Sequence, residues 1–302
     1  MSWLLVTILA YFVLAIVVLV DKYLLTSSIQ NPKVYAFYVG FLFGLAVILI
    51  PFIGFFVPSN SQIILSLLAG ATFVMALYWL YKGLNLFEAS RIIPAIGGLV
   101  PLFTFGLIYI ISGGQEKLSL FGFLAFILLV SGSFLINFEK EKPITSKSLK
   151  LSLITAFLFS LSFVLIKYVY LAQPFWNGFI WRSIGGFLTA ACFFIIFPEI
   201  KKEIFKKREK SSLKTSIIFL SNQAMGSVGT ILQNWAIALA PLAFVAIINA
   251  LQGIQYAFLL IITVFLSLKF PQILKEEISK NVIFQKIFSI LIIGAGLILL
   301  VL

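Results

Sequence analysis

Residues 2–20 read SWLLVTILAYFVLAIVVLV, a run without a single charge that Asp21 and Lys22 bring to a close. A stretch of about 20 apolar residues, rising 1.5 Å at each step, crosses the hydrocarbon core of a bilayer. A strand of a membrane barrel would alternate apolar and polar residues; here the apolar residues are continuous. The run therefore predicts a membrane-spanning helix. Met1 leads straight into it, with no basic flank and no small-residue cleavage site, so it reads as a first span rather than a removed signal peptide.

The same texture continues along the chain. Over 302 residues, 62% are apolar and only 11% are charged, against about 25% charged in a soluble domain. A soluble fold of this composition would lack the polar surface to stay dissolved. The sequence divides into about ten spans: 2–20, 34–57, 63–82, 88–111, 118–137, 149–170, 175–198, 214–236, 241–268 and 283–302. The expected fold is all-α and polytopic. The single cysteine, Cys192, excludes an internal disulfide. The absence of histidine removes the commonest metal ligand and the usual proton shuttle near neutral pH.

The joints between spans alternate in charge. The odd ones are basic, and the seventh is the richest, with Lys201, Lys202, Lys206, Lys207, Arg208, Lys210 and Lys214. The even ones are nearly bare. This pattern accounts for the net charge of +12 without nucleic acid, because positive loops stay on the cytoplasmic side. It predicts a protein of the cell membrane with the odd joints inside and both termini outside. The segment 199–215 is expected to be a short amphipathic helix or a solvated linker.

The two halves repeat in register. Ile8-Leu-Ala-Tyr-Phe12 recurs as Leu153-Ile-Thr-Ala-Phe157, Asp21-Lys22-Tyr23 as Ile166-Lys167-Tyr168, Pro32 as Pro174 and Gly44 as Gly186. Each half, 1–140 and 148–302, holds five spans. Five is odd, so the second half enters the membrane from the opposite face. Inverted repeats of this kind are a hallmark of secondary transporters, with the site near the midplane between the halves.

On these residues the chain resembles the drug/metabolite transporter superfamily, in particular its ten-span exporters built from two EamA-type repeats. The resemblance is carried by Lys167-Tyr168, Pro174 and Arg182 in the second half, and by Ala89-Ser90, Pro101, Glu116 and Leu118 in the first. Glu276-Glu277 takes the part of Glu116 before the last span. The chain departs from the family at Gly40, where the family has Arg, and at Gln255, where the repeat would place Pro. The resemblance implies export or exchange of amino acids and other small metabolites without ATP. It also implies cytoplasmic termini, the opposite of what the loop charges predict.

Polar groups in hydrocarbon are costly and usually face a cavity or one another. Asn249, Gln252 and Tyr256 share a helix face by their spacing, and Gln255 sits beside it. Asn222 and Gln223 lie near mid-depth of the eighth span, with Gln233 and Asn234 nearer its outer end, and together these amides are expected to line a polar cavity. The first-half counterparts of Asn249, Gln252 and Tyr256, namely Ala95, Gly98 and Leu102, are apolar, so a binding site is expected to be weighted to the second half. Arg182, about 10 Å into its span, suits a solute carboxylate or snorkels to the interface. Tyr78 and Trp235 belong to aromatic clusters near span ends, as an interfacial belt or as lining of the solute path. Lys22 and Lys167 are repeat-related and expected to snorkel, with Lys167 also a gating candidate. Glu88 and Arg91 are spaced to pair, and Glu88 is the candidate proton carrier should transport be proton-coupled. Gly97, Gly98, Gly226 and Gly229 would let helices approach closely.

The function expected is secondary transport of a small solute by alternating access. The competing expectations are a carrier of lipids or lipid-linked molecules on the same fold, and a scaffold that transports nothing. No span interior carries the acidic or histidine cluster of a membrane enzyme. No GK[ST] loop is present. Neither a cofactor nor a metal is expected; the expected partners are the solute and membrane lipids.

Overall fold

The computed structural model describes residues 2–27, 29–87, 89–136, 145–205, 213–269 and 280–301. Among these, no strand occurs. Helix α1 is Ser2–Ser27; α2 is Pro32–Leu42 and passes into a 3₁₀ segment, Phe43–Phe52; α3 is Asn60–Leu86; α4 Ala89–Ile111; and α5 Leu120–Ile136. In the second half α6 is Ser146–Ala172, α7 Phe175–Ile196, α8 Pro198–Phe205 and α9 Leu213–Leu239. A 3₁₀ turn, Leu242–Phe244, leads into α10, Val245–Ala250, then α11, Gln252–Lys269, and α12, Lys280–Val301.

Local chemistry sets these boundaries. Asn31 caps α2 by accepting from Lys33 N at 3.0 Å, with Pro32 opening the helix. Thr145 and Ser148 form a reciprocal capping box at the start of α6. Where the first span was expected to stop at Val20, α1 continues to Ser27. Asp21 therefore lies inside a helix rather than in a joint. The expected span 241–268 is broken at Leu251, between α10 and α11. The carbonyls exposed near the break are satisfied from other helices: Tyr11 Oη donates to Ile248 O at 2.9 Å and Ser133 Oγ to Ala250 O at 3.1 Å.

Among the described residues, six helical stretches are long and apolar enough to cross a membrane: Ser2–Leu25, Pro32–Phe52, Asn60–Leu86, Ser146–Ala172, Phe175–Ile196 and Leu242–Leu259. The segments Ala95–Ile111, Leu120–Leu135 and Ile287–Leu300 are apolar but shorter. Helix α9 has the length, but Asn222, Gln223, Gln233 and Asn234 lower its hydropathy. Large apolar side chains such as Leu5, Ile48, Ile64, Ile110, Ile195 and Leu291 point outward on many helices. Lipid is the solvent in which that surface costs nothing.

Packing follows a crossed pattern. α1 lies on α9, α6 on α3 and α4, α7 on α3, and α5 on α12. The α3–α7 seam is the tightest: a Cβ on Gly70 would stand 1.9 Å from Arg182 O, and one on Gly185 would stand 2.3 Å from Leu67 O. The described joints meet in two sets. At one end Asn85 Nδ2 donates to Gln30 O at 3.0 Å and Lys33 Nζ to Glu199 at 2.7 Å. At the other, Phe56 N donates to Asn177 Oδ1 at 3.2 Å and Gln173 Nε2 to Gln62 Oε1 at 3.4 Å.

Helix α8 realises the first part of the expected segment 199–215; residues 206–212 lie outside the described residues. It buries Ile200 and is tied to α2 through Lys33, whose Nζ also sits 4.6 Å from the centre of the Phe197 ring. The bond from Lys33 holds the Glu199 carboxyl below its usual range. A lowered carboxylate pKa stabilises above the unfolded value and is lost as pH falls through the folded one. Protection of the α8 amides, taken relative to their intrinsic exchange rate at each pH, is therefore expected to hold at neutral pH and to fall only on acidification below the ordinary carboxylate range. Glu199→Gln should lower that protection at neutral pH and match the parent once the carboxyl is protonated; unchanged protection at neutral pH would show the ion pair to be idle.

Candidate functional site

A cavity of about 190 Å³ opens between the two halves of the chain. From the first half it is bordered by Tyr11, Leu14, Val17, Val18 and Asp21 of α1, by Val39 and Phe43, by Phe73, Leu77, Tyr81 and Leu84 of α3, and by Ile96 and Val100 of α4. The second half contributes Phe159 and Phe163 of α6, Gln223, Ser227, Thr230 and Gln233 of α9, and Asn249, Gln252, Gln255 and Tyr256 at the α10–α11 break. Along α1 and α3 the bordering residues begin near mid-helix and run toward the end where Gln30 meets Asn85. Asp21 is six residues short of the end of α1, about 9 Å of rise.

Six residues that the sequence offers as polar lining border this cavity: Gln223, Gln233, Asn249, Gln252, Gln255 and Tyr256. The helix break at Leu251 does not scatter them, because it turns both Asn249 and the first turn of α11 toward the same space. Asn249 Nδ2 donates to Thr104 Oγ1 at 2.9 Å, while its buried Oδ1 meets no donor among the described residues. The bordering amides come from the second half, and Ile96 and Val100 of α4 face the same space.

Asn222 stands one layer back, donating to Asp21 Oδ1 at 2.7 Å and to Val17 O at 3.4 Å. Asp21 is the residue that sequence reading missed. It also accepts from Tyr35 Oη at 2.5 Å and from Gln223 Nε2 at 3.3 Å. Its signal was the neighbouring pair of amides on α9, which predicts a polar partner at the same depth.

The remaining candidates lie elsewhere. Arg182 is fully buried rather than snorkelling. Its guanidinium lies 4.3 Å from the centre of the Phe73 ring and 5.9 Å from that of Phe43, so it sits behind the aromatic wall of the cavity. Its Nε and Nη2 have no acceptor among the described residues. Lys167 does not snorkel either. It is buried, and its Nζ donates to Ala238 O at 3.1 Å and Ala240 O at 2.5 Å. The last carbonyls of a helix lack donors of their own, and here the lysine closes the end of α9. Trp235 packs on Phe175 with ring centres 4.5 Å apart, at the end away from Gln30 and Asn85. Tyr78 packs on Phe193 and Phe197. Neither borders the cavity. Glu88 and the side chain of Arg91 lie outside the described residues.

Gly97 packs directly behind Tyr256: a Cβ there would stand 2.3 Å from the phenol oxygen. Gly97→Ala is expected to push the ring into the cavity. Solute flux should fall by about ten-fold or more, with folded protein retained, since one misplaced group about 1 Å out of position costs factors of that order or larger. Flux through Gly97→Ala at the normal rate would show that Tyr256 does not border the path.

No family model matches the chain, and no curated protein matches it. Solved structures share its fold. One crystal structure of another protein aligns with a TM-score of 0.62 and 15% sequence identity, over 98% of this chain and 93% of its own. At that identity the likeness is one of fold alone.

Proposed function

We propose that this protein is a secondary transporter of small metabolites, working by alternating access without ATP. The observation that carries the reading is the cavity itself: a hollow between the two halves, amide-lined on one side and aromatic on the other. Mid-depth sites beside broken helices are what transporters of this general design use. The α10–α11 break and the long 3₁₀ segment Phe43–Phe52 both adjoin the cavity. Runs of 3₁₀ helix beyond three or four residues are uncommon and often mark hinges.

The reading takes the chain as ten spans in two inverted five-helix repeats, 1–140 and 148–302, like the ten-span exporters of the drug/metabolite superfamily. The crossed packing supports this. If α1 corresponds to α6 and α3 to α9, then the α1–α9 and α3–α6 contacts are copies of each other, and α5 on α12 is a repeat meeting its own counterpart. The meeting of Gln30 with Asn85 and of Lys33 with Glu199 supports the grouping of odd joints at one face. By loop charge that face is cytoplasmic, and the cavity reaches toward it. Reporter fusions at either terminus test the orientation; a cytoplasmic signal would reverse it.

Transport is tested in proteoliposomes with a panel of small metabolites, with and without a proton gradient. Gln252→Ala should lower flux of the transported solute by about ten-fold, the worth of one good polar contact, while leaving folded protein intact. A protein that moves no solute of the panel, or a Gln252→Ala variant as fast as the parent, would overturn the assignment.

A further inference from the structure

Among the residues that border the cavity, Asp21 is the one with a formal charge; the other polar groups there are neutral amides and hydroxyls. The three donors that reach Asp21, from Tyr35, Asn222 and Gln223, are neutral and converge on Oδ1. No described donor reaches Oδ2. A carboxylate in a hollow of low dielectric calls for a counter-cation, since an unpaired buried charge is costly. The buried Arg182 does not border the cavity. Arg182 is shut off behind Phe73, against whose ring it lies.

The rest of the wall is built for an apolar body, with Phe43, Phe73, Phe159 and Phe163 facing the same space. The volume of about 190 Å³ is many times the roughly 10–15 Å³ that a single water needs, and so has room for a small organic molecule.

We infer that the cavity is a binding site for a small primary amine with an aromatic or branched apolar body, its ammonium held by Asp21 and its body laid against the phenylalanines. The inference rests on the transport reading for its purpose and narrows the solute class within it. A free amino acid fits less well, because its carboxylate would meet no cation on the cavity wall and would face the carboxylate of Asp21. A neutral body without the amine leaves Oδ2 unpaired.

The test is binding to the purified full-length chain in detergent, by calorimetry, with three probes of one shape: 2-phenylethylamine, phenylalanine and 3-phenylpropionate. The amine should bind about ten-fold or more tighter than either of the others, as the loss of a charge-assisted hydrogen bond predicts. Asp21→Asn should weaken amine binding by a similar factor, and Asp21→Glu should restore most of it. No binding of the amine, equal binding of 3-phenylpropionate, or an Asp21→Asn variant with parental affinity would each overturn the inference. Should Asp21→Asn not fold, the selectivity of the parent among the three probes decides alone. Failure of the transport reading looks different. Selective amine binding without flux of any solute would overturn transport and leave the amine site standing, whereas flux of a solute with a preference for the carboxylate probe would do the reverse.

Discussion

Gly70→Ala is expected to prevent α3 and α7 from closing on each other, and with that to cost at least about 3 kcal/mol, the upper end of ordinary overpacking. The reason is the identity of the neighbours. A Cβ at Gly70 would stand 1.9 Å from Arg182 O and 2.6 Å from Gly186 N. These are backbone atoms of a helix, and no rotamer change moves them away. The two helices would have to part along the seam, and Phe73, one turn further along α3, would lose its seat on Arg182. Lipid-embedded helices are held by close packing rather than by a hydrophobic drive between them, so a lost seam is not recovered elsewhere. Gly226→Ala is the control: its Cβ would meet Val17 at 3.4 Å, an ordinary contact. Thermal unfolding in detergent, read by size-exclusion chromatography, should find Gly226→Ala near the parent and Gly70→Ala largely aggregated. Equal melting of the two would mean that the seam is looser than drawn.

That seam also marks where sequence reading ran short. Composition and continuous apolar runs were enough for an all-helical chain with membrane-spanning stretches, because hydrocarbon leaves the backbone few alternatives. The polar patch was legible as well. Amides in an apolar run are conspicuous, and Gln223, Asn249, Gln252, Gln255 and Tyr256 do border one cavity. What spacing could not supply was which glycines are pressed against backbone. Gly97 and Gly229 were singled out and do pack closely against the side chains of Tyr256 and Leu14, but Gly70 and Gly185 are pressed against helix backbone, which has no rotamer to yield. A glycine's role depends on its partner helix, which lies far off in sequence. Asp21 was misjudged for a related reason. A charge beside a lysine at the end of an apolar run looks like a loop, and only the arrival of Tyr35, Asn222 and Gln223 from other helices turns it inward. Lys167 was read as snorkelling by the same default, yet it has the end of α9 within reach.

Arg182→Met is expected to stabilise the protein by about 1–4 kcal/mol, the range seen when buried charges give way to apolar residues of similar volume. The guanidinium is fully buried, and two of its nitrogens lack an acceptor among the described residues. Its visible compensation is the face of Phe73 at 4.3 Å, and a desolvated cation–π contact returns only about 2 kcal/mol. Methionine is shorter than arginine but keeps an unbranched, flexible side chain, removes the charge and fills much of the space behind the ring with a polarizable thioether. Arg182→Ala should do the opposite. It removes the charge but leaves a void beneath Phe73 and Phe43, and truncation of a large buried side chain costs about 2–5 kcal/mol. The two substitutions at one position thus separate electrostatic burden from packing. Unfolding in a denaturing detergent series should rank Met above the parent and Ala below it. A Met variant less stable than the parent would mean that an acceptor engages the guanidinium. Binding of 2-phenylethylamine supplies the second readout. Because Phe73 stands between Arg182 and the cavity, the Met variant should bind the amine at least as tightly as the parent, whereas the Ala variant, with Phe73 free to sink toward α7, should bind it more weakly.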